Sequence, residues 1–162
     1  MSDYDQKPPT AAGDVRAIRI LFYAMIAGVF LFSVIVLALS FIEETISPIK
    51  GYENIVLGVL IVIGLICYYF ARTGYNKGIA AAKDSLISLP DKLNHYRATL
   101  IRYLALCEGP ALFGIILFFL TGNYFMFIIT GLMVAAMLVK APTRQRVIEE
   151  LGLDWKQQEN LD

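Results

Sequence analysis

Long apolar runs alternate with short polar stretches along this chain, and the runs have the length of membrane-spanning helices. The first run, Ile20 to Ile42, contains 23 residues without a charge. As a helix it would measure about 35 Å, which exceeds the bilayer's hydrocarbon core of about 30 Å. The run from Gly109 to Val139 has 31 uncharged residues, too many for one crossing. The turn-forming sequence at residues 121–123, Thr-Gly-Asn, divides it.

We therefore predict an all-α membrane protein with four transmembrane helices, arranged as two helical hairpins. The predicted spans are 17–42, 54–71, 99–120 and 124–140. They lie within a transmembrane domain of residues 16–140. Residues 1–15 lack an apolar period and are predicted to be a disordered cytoplasmic tail. Residues 141–162 are predicted to be a cytoplasmic amphipathic tail.

The connection between spans two and three is polar but remains compatible with helix. Its sequence Ser88-Leu89-Pro90-Asp91 has the form of a capping box with proline in the first turn, so a new helix is expected to begin there. Spans two and three are thus predicted to be joined by a helical extension that projects into the cytoplasm.

The C-terminal tail carries a short amphipathic pattern. Val147, Ile148 and Leu151 have helical spacing, and Gly152 ends the pattern. Together with Trp155, the segment fits a helix that lies on the membrane surface. A short solvated helix is an equally good interpretation.

Lysine and arginine counts near the span ends predict the orientation, because cytoplasmic loops are enriched in these residues. The basic residues of the two tails and the central extension that lie towards the span ends are Lys7, Arg16, Arg19, Arg72, Lys77, Lys83, Lys92, Arg97, Arg102, Lys140, Arg144 and Arg146. The other two connections carry only Lys50. Both termini and the extension are therefore predicted to be cytoplasmic, in a multi-pass protein of a bacterial cytoplasmic (inner) membrane.

Composition narrows the functional classes. Apolar residues make up 57% of the 162 residues and charged residues 17%, against about 25% charged in soluble domains. The lipid bilayer is therefore the first expected partner, and a net charge of zero gives no reason to expect nucleic acid. The sequence shows no nucleophile and base pair, phosphate loop or metal cluster, so we predict no enzyme, cofactor or metal site.

A shift of 81 residues aligns the start of span one with the start of span three. Eight of twenty aligned positions are identical. Such a repeat would make the two hairpins parallel copies, related by an axis along the membrane normal. It matches Ala24 and Gly28 with Ala105 and Gly109, and these small residues would let spans one and three approach closely.

Glu108 is the only acidic or basic residue well inside a predicted span. A charged carboxylate at that depth is costly unless it is paired. Pro110 follows closely, lacks an amide hydrogen and would bend the helix beside the acid. Ser33 and Thr130 are candidate partners from other spans. An ion-binding acid and a protonated acid that only packs against a neighbouring helix are equally good interpretations.

Four arginines flank the starts of spans one and three. They are predicted to anchor these spans at phospholipid headgroups. The residues are Arg16, Arg19, Arg97 and Arg102.

The sequence around the acid, Leu106-Cys107-Glu108-Gly109-Pro110-Ala111-Leu112-Phe113-Gly114, resembles the duplicated proteolipid subunit of rotary ATPases. That resemblance implies that Glu108 carries an ion within a ring of subunits. The proteolipid acid lies on the second helix of its hairpin, however, whereas Glu108 lies on the first helix of the second half. The whole chain resembles small bacterial four-span membrane proteins, which implies no particular activity.

Two functions from different classes follow. The first is a non-enzymatic accessory or interaction subunit that forms a homo-oligomer or joins a larger membrane complex. The second is an ion-handling module in which Glu108 binds and releases a proton or sodium.

Overall fold

The computed structural model describes residues 11–42, 51–84 and 88–159, and these form six helices without a strand. The helices are α1 (Ala11–Ile42), α2 (Glu53–Asp84), α3 (Leu89–Thr121), α4 (Phe125–Val139), α5 (Arg144–Leu151) and α6 (Trp155–Glu159). Helices α1, α2 and α3 are long and apolar enough to cross a membrane, whereas α4 qualifies only together with α5, to which it is bent by 72°. The predicted all-α class is therefore confirmed for the described residues, and three helices, or four if α4 and α5 form one bent span, are apolar enough to cross a membrane.

The helix boundaries correct one predicted segment. Helix α1 begins at Ala11, so residues 11–15 are helical rather than part of a disordered tail. The rest of that predicted tail, residues 1–10, and most of the predicted loop before α2, residues 43–50, lie outside the described residues.

Helix α3 is the centre of the bundle. It packs most extensively against α2, then against α4 and α1. Half of its most apolar 18-residue window is buried, compared with 17% for α2 and 11% for α1. Because α1 is peripheral while α3 is central, the packing does not reflect the predicted repeat, which stays a prediction.

Close approach between the helices depends on three glycines. A Cβ atom at Gly114 of α3 would lie 2.7 Å from the Thr130 Oγ1 of α4, and one at Gly64 of α2 would lie 3.1 Å from the Met133 Cε. A Cβ atom at Gly78 of α2 would collide with the Thr99 side chain of α3. A side chain at Gly78 or Gly114 would force the neighbouring groups to shift, whereas at Gly64 only the flexible end of the Met133 side chain would have to move.

Helix α4 runs back along α3. The turn between them places Gly122 at φ +69°, and its N–H donates to the carbonyl of Phe118 at 2.7 Å. Near the other end of α4, the Tyr103 hydroxyl of α3 donates to the carbonyl of Ala136 at 2.9 Å. Helix α4 therefore returns the chain to the level of Tyr103, although its 15 residues measure only about 23 Å.

The buried side chains form two clusters along the bundle. We name the cluster around the α2–α3 connection the hairpin-end cluster: Val15, Ile18, Phe22, Ala71, Tyr75, Ala82, Leu93, Tyr96, Leu100, Tyr103, Leu104, Cys107, Met137, Val147, Leu151 and Leu153. We name the cluster towards the α3–α4 turn the turn-end cluster: Val29, Val36, Leu60, Ala111, Ile115, Leu117, Phe118, Met126 and Met133.

The C-terminal segment differs from both predicted interpretations. Val147 and Leu151 of α5 are fully buried in the hairpin-end cluster, and α5 packs against α2. The apolar face of α5 therefore covers protein instead of the membrane surface or water. Among the described residues of this segment, only Trp155, which is 75% exposed, remains a large apolar side chain on the outside.

Candidate functional site

Glu108 lies on α3, 13 residues before Thr121, or about 20 Å along the helix axis. Its side chain is half-buried. It makes no hydrogen bond or ion pair with any residue that the structure describes. The described part of the chain therefore leaves this carboxyl group without a polar partner.

Pro110 lies on the other side of α3. Two positions along a helix differ by about 200°, and Pro110 is buried in the bundle where Glu108 is partly exposed. Helix α3 continues through Pro110 from Leu89 to Thr121. Pro110 therefore contributes to the packed face of α3 and does not face the same way as the acid.

Ser33 and Thr130 line a different site, a cavity of about 710 Å³ between α1 and α4. The Ser33 hydroxyl donates to the carbonyl of Val29 at 2.8 Å, and the Thr130 hydroxyl donates to the carbonyl of Ala111 at 2.9 Å. Glu108 and Pro110 are not among the residues that line this cavity. The structure thus does not bring the four predicted ion-binding residues together. Both hydroxyl groups instead form hydrogen bonds with backbone carbonyls of the helices.

The predicted contact between α1 and α3 through small residues is wrong. Ala24, Gly28, Ala105 and Gly109 are all exposed, and a Cβ atom at either glycine would meet no atom within 4 Å. Contact between α1 and α3 instead involves larger side chains of α1 such as Ile18 and Phe22, because these face the buried cluster. The small residues lie on the outer surface of the bundle.

The four predicted headgroup anchors are all exposed. They lie near the starts of α1 and α3. Their exposure leaves them accessible to lipid headgroups, and that role stays a prediction. The residues are Arg16, Arg19, Arg97 and Arg102.

The structure reveals a polar cluster that the sequence analysis missed. We call Tyr75, Tyr96, Lys140 and Glu150 the tyrosine–lysine cluster. The Tyr75 hydroxyl donates to the Glu150 carboxylate at 2.5 Å. The Lys140 ammonium lies 3.8 Å from the other Glu150 oxygen and 4.1 Å from the centre of the Tyr75 ring. These contacts connect α2, the end of α4 and α5.

Burial also raises the pKa values of the two tyrosines in this cluster. Burial, together with the nearby Glu150 carboxylate, raises the pKa of Tyr96 to about 12, although Tyr75 and Arg146 oppose the shift. Burial is also the main reason that the pKa of Tyr75 lies well above its ordinary value, and Tyr96 and Glu150 add to the shift. Both hydroxyl groups therefore keep their protons even at alkaline pH at which an exposed tyrosine begins to ionise. The Tyr96 hydroxyl is fully buried and closes no hydrogen bond with a described residue.

The spacing of residues on α3 contains a signal for this cluster. Tyr96, Leu100 and Tyr103 follow one another at intervals of four and three residues, so they share one face of the helix. All three are buried. A tyrosine that recurs on an apolar face indicates a hydroxyl that needs a partner from another helix.

Comparisons of the chain with protein families, with curated proteins and with solved structures found no match. The resemblance to the proteolipid subunit therefore stays an expectation from the residues around Glu108.

Proposed function

We propose that this chain is a non-enzymatic membrane protein with four spans and serves as an accessory or interaction subunit of a membrane assembly. The antiparallel packing of α4 on α3 supports the fourth span. If α3 crosses the membrane, α4 crosses it in the opposite direction, because α4 runs back to the level of Tyr103. The short length of α4 is compatible with a span when Lys140 at its end extends towards the headgroups.

We infer in addition that both termini and the α2–α3 connection lie on the cytoplasmic side. With four spans, every basic flank of the chain lies on that side, as the distribution of lysine and arginine requires. The packing of α5 against α2 supports one part of this orientation, namely that the C-terminal segment and the α2–α3 connection lie on the same side of the membrane.

The unpartnered carboxyl group of Glu108 carries the proposal that the subunit assembles. Glu108 is half-buried within the apolar length of α3 and has no hydrogen-bond partner among the described residues. A polar group in lipid is costly when it is unsatisfied. A polar side chain or backbone carbonyl from another membrane chain would satisfy it.

The surface around Glu108 is suited to such a contact. Ala105 and Gly109 are exposed beside Glu108 on the outer side of α3, and Gly109 has open space around it. Small residues let a second helix come close enough to form a hydrogen bond with the acid. The face that was predicted to bind α1 is therefore available to another chain.

Replacement of Glu108 tests the assembly. A Glu108→Leu variant is expected to weaken association about 5- to 30-fold, because an interhelical hydrogen bond in a membrane contributes about 1–2 kcal/mol. A Glu108→Gln variant should associate normally, since glutamine still forms hydrogen bonds. The measurement is the size of the complex extracted from membranes in a mild detergent, by native gel and light scattering.

Leu65→Ala is the matched control, since Leu65 is 62% exposed on α2 and not on the surface of α3 that carries Glu108. It should leave the complex unchanged. A wild-type chain that is extracted as a monomer would contradict the proposal, and so would a Glu108→Leu variant that associates normally.

A second function, the binding of a proton or sodium by Glu108, is supported by the same half-exposed, unpartnered carboxyl group. Modification of Glu108 by a hydrophobic carbodiimide should then be slowed by sodium or by raised pH. Equal rates of modification with and without sodium and across pH would eliminate this second function.

A further inference from the structure

A cavity of about 310 Å³ lies between α2, α3 and α4, next to the end of the apolar run of α2. Seven residues line it: Tyr68, Arg72, Asn76, Tyr103, Ala136, Val139 and Lys140. Five of the seven have polar side chains, two of them are cations and none is an acid. The cavity is distinct from the surroundings of Glu108.

One stripe of α2 supplies most of the polar wall. Tyr68, Arg72 and Asn76 follow one another at intervals of four residues, so they lie on one face of the helix. Among the described residues, Arg72 forms no ion pair, and neither the Tyr68 hydroxyl nor the Asn76 amide makes a hydrogen bond. The stripe therefore offers three donor groups that no described residue uses.

The charges around the cavity leave one cation uncompensated. Lys140 is close to the Glu150 carboxylate, at 3.8 Å, so these two charges largely offset each other. Glu150 also accepts the hydrogen bond from Tyr75. Arg72 has no such acid beside it in the described structure, and the cavity is therefore suited to an anion.

We propose that this cavity binds the phosphate of an anionic phospholipid headgroup. The planar guanidinium group of an arginine matches the oxygens of a phosphate, and the Asn76 and Tyr68 donors add hydrogen bonds. Basic pockets between transmembrane helices on the cytoplasmic side bind such headgroups. Val139, which is 65% exposed at the rim, gives the adjoining acyl chain an apolar surface.

A second cavity at a similar level strengthens the inference. It lies on the other side of the α2–α3 contact, has a volume of about 370 Å³ and is lined in part by Lys77 and Arg102. It contains no acidic residue either, and Tyr103 borders both cavities. Positive charge therefore surrounds the α2–α3 pair where α2 leaves its apolar run.

Lipid retention by the purified full-length chain tests the proposal. Native mass spectrometry in detergent with added phosphatidylglycerol should show one tightly retained lipid molecule on the wild-type chain. When phosphatidylcholine is added instead, the wild-type chain should retain less lipid. An Arg72→Gln variant should bind phosphatidylglycerol about fivefold more weakly, which is the effect of about 1 kcal/mol for one cation at a membrane surface. An Asn76→Asp variant should also bind phosphatidylglycerol more weakly, because the substitution adds a negative charge on an exposed side chain.

Lys92→Gln is the matched control, since it removes one positive charge from α3 at a position that does not line the cavity. Equal losses in Arg72→Gln and Lys92→Gln would overturn the proposal, as would equal retention of phosphatidylcholine. Inorganic phosphate that displaces phosphatidylglycerol at millimolar concentration would overturn the lipid assignment and indicate a soluble phosphate instead. The site requires the proposed orientation but not assembly through Glu108, so Glu108→Gln should retain the lipid normally.

Discussion

The turn-end and hairpin-end clusters are held together by different interactions. In the turn-end cluster, buried apolar side chains of α1 to α4 pack around close contacts such as Gly114 against Thr130. Beside the hairpin-end cluster, the tyrosine–lysine cluster connects helices through directional contacts, and α5 adds a buried apolar face. The difference corresponds to the proposed surroundings of the two ends, which are lipid for the turn end and water for the hairpin end.

The comparison has a physical basis. Apolar side chains gain little by leaving lipid for a helix interface, so helices in a bilayer depend on close fit and on hydrogen bonds. In water, burial of apolar surface is itself favourable, at about 25 cal/mol per Å². The hairpin end can therefore hold a short helix such as α5 by burial, whereas the turn end depends on where its glycines lie.

Removal of apolar contact from α5 should have the largest effect on stability. Leu151→Ala is expected to lower the free energy of unfolding of the hairpin end by about 2–5 kcal/mol, because Leu151 is fully buried. The measurement is the rate of proteolysis within residues 141–162, together with denaturant unfolding in detergent. Leu132→Ala, at a 60% exposed position of α4, is the control and should change stability by less than about 0.5 kcal/mol. Similar values for the two variants would show that α5 is not held by burial.

A methyl group at Gly114 should have the next largest effect. Gly114→Ala places a Cβ atom 2.7 Å from the Thr130 Oγ1 and 3.1 Å from the carbonyl of Met126, so we expect a loss of about 1–3 kcal/mol. Gly58→Ala on α2 is the control, since a Cβ atom there meets nothing within 4 Å. Unfolding of both variants in detergent measures the difference. A Gly114→Ala variant as stable as Gly58→Ala would contradict the close fit of α3 and α4.

Loss of one hydroxyl group at the hairpin end should have the smallest effect. Tyr75→Phe removes the hydrogen bond to Glu150 but keeps the ring beneath Lys140, so we expect a loss of about 0.5–1.5 kcal/mol. Proteolysis of the C-terminal segment should accelerate accordingly. Tyr69→Phe, at a 64% exposed position of α2, should have no effect. If both variants are cleaved at the wild-type rate, the hydroxyl contact does not hold α5.

Several features could be predicted from the sequence because they depend on neighbours along the chain. The three long apolar helices follow from run length, and the start of α3 at Leu89 follows from the Ser88 and Pro90 signal. The Ser88 hydroxyl donates to the Asp91 carboxylate at 2.6 Å instead of capping the backbone. The turn at Gly122 was likewise predicted from its residue types.

Other features could not be predicted, because they depend on which faces meet. The exposed positions of Ala24 and Gly109 and the close contacts at Gly64 and Gly114 involve the same small residue types, so composition cannot distinguish them. The interaction of α5 with α2 depends on an apolar stripe that would fit a membrane surface equally well.

The sequence alone determined that this chain is helical, that its long helices are apolar enough for a bilayer and that Glu108 is the one acid well inside the predicted spans. Those properties depend on how apolar or polar the residues of each stretch are. Each stretch therefore has them independently of the others. Only the tertiary structure decided that α3 is central, that Glu108 has no partner among the described residues and that Arg72 and Lys140 line one cavity. These arrangements depend on the rotation of each helix about its axis, which side-chain contacts between helices determine.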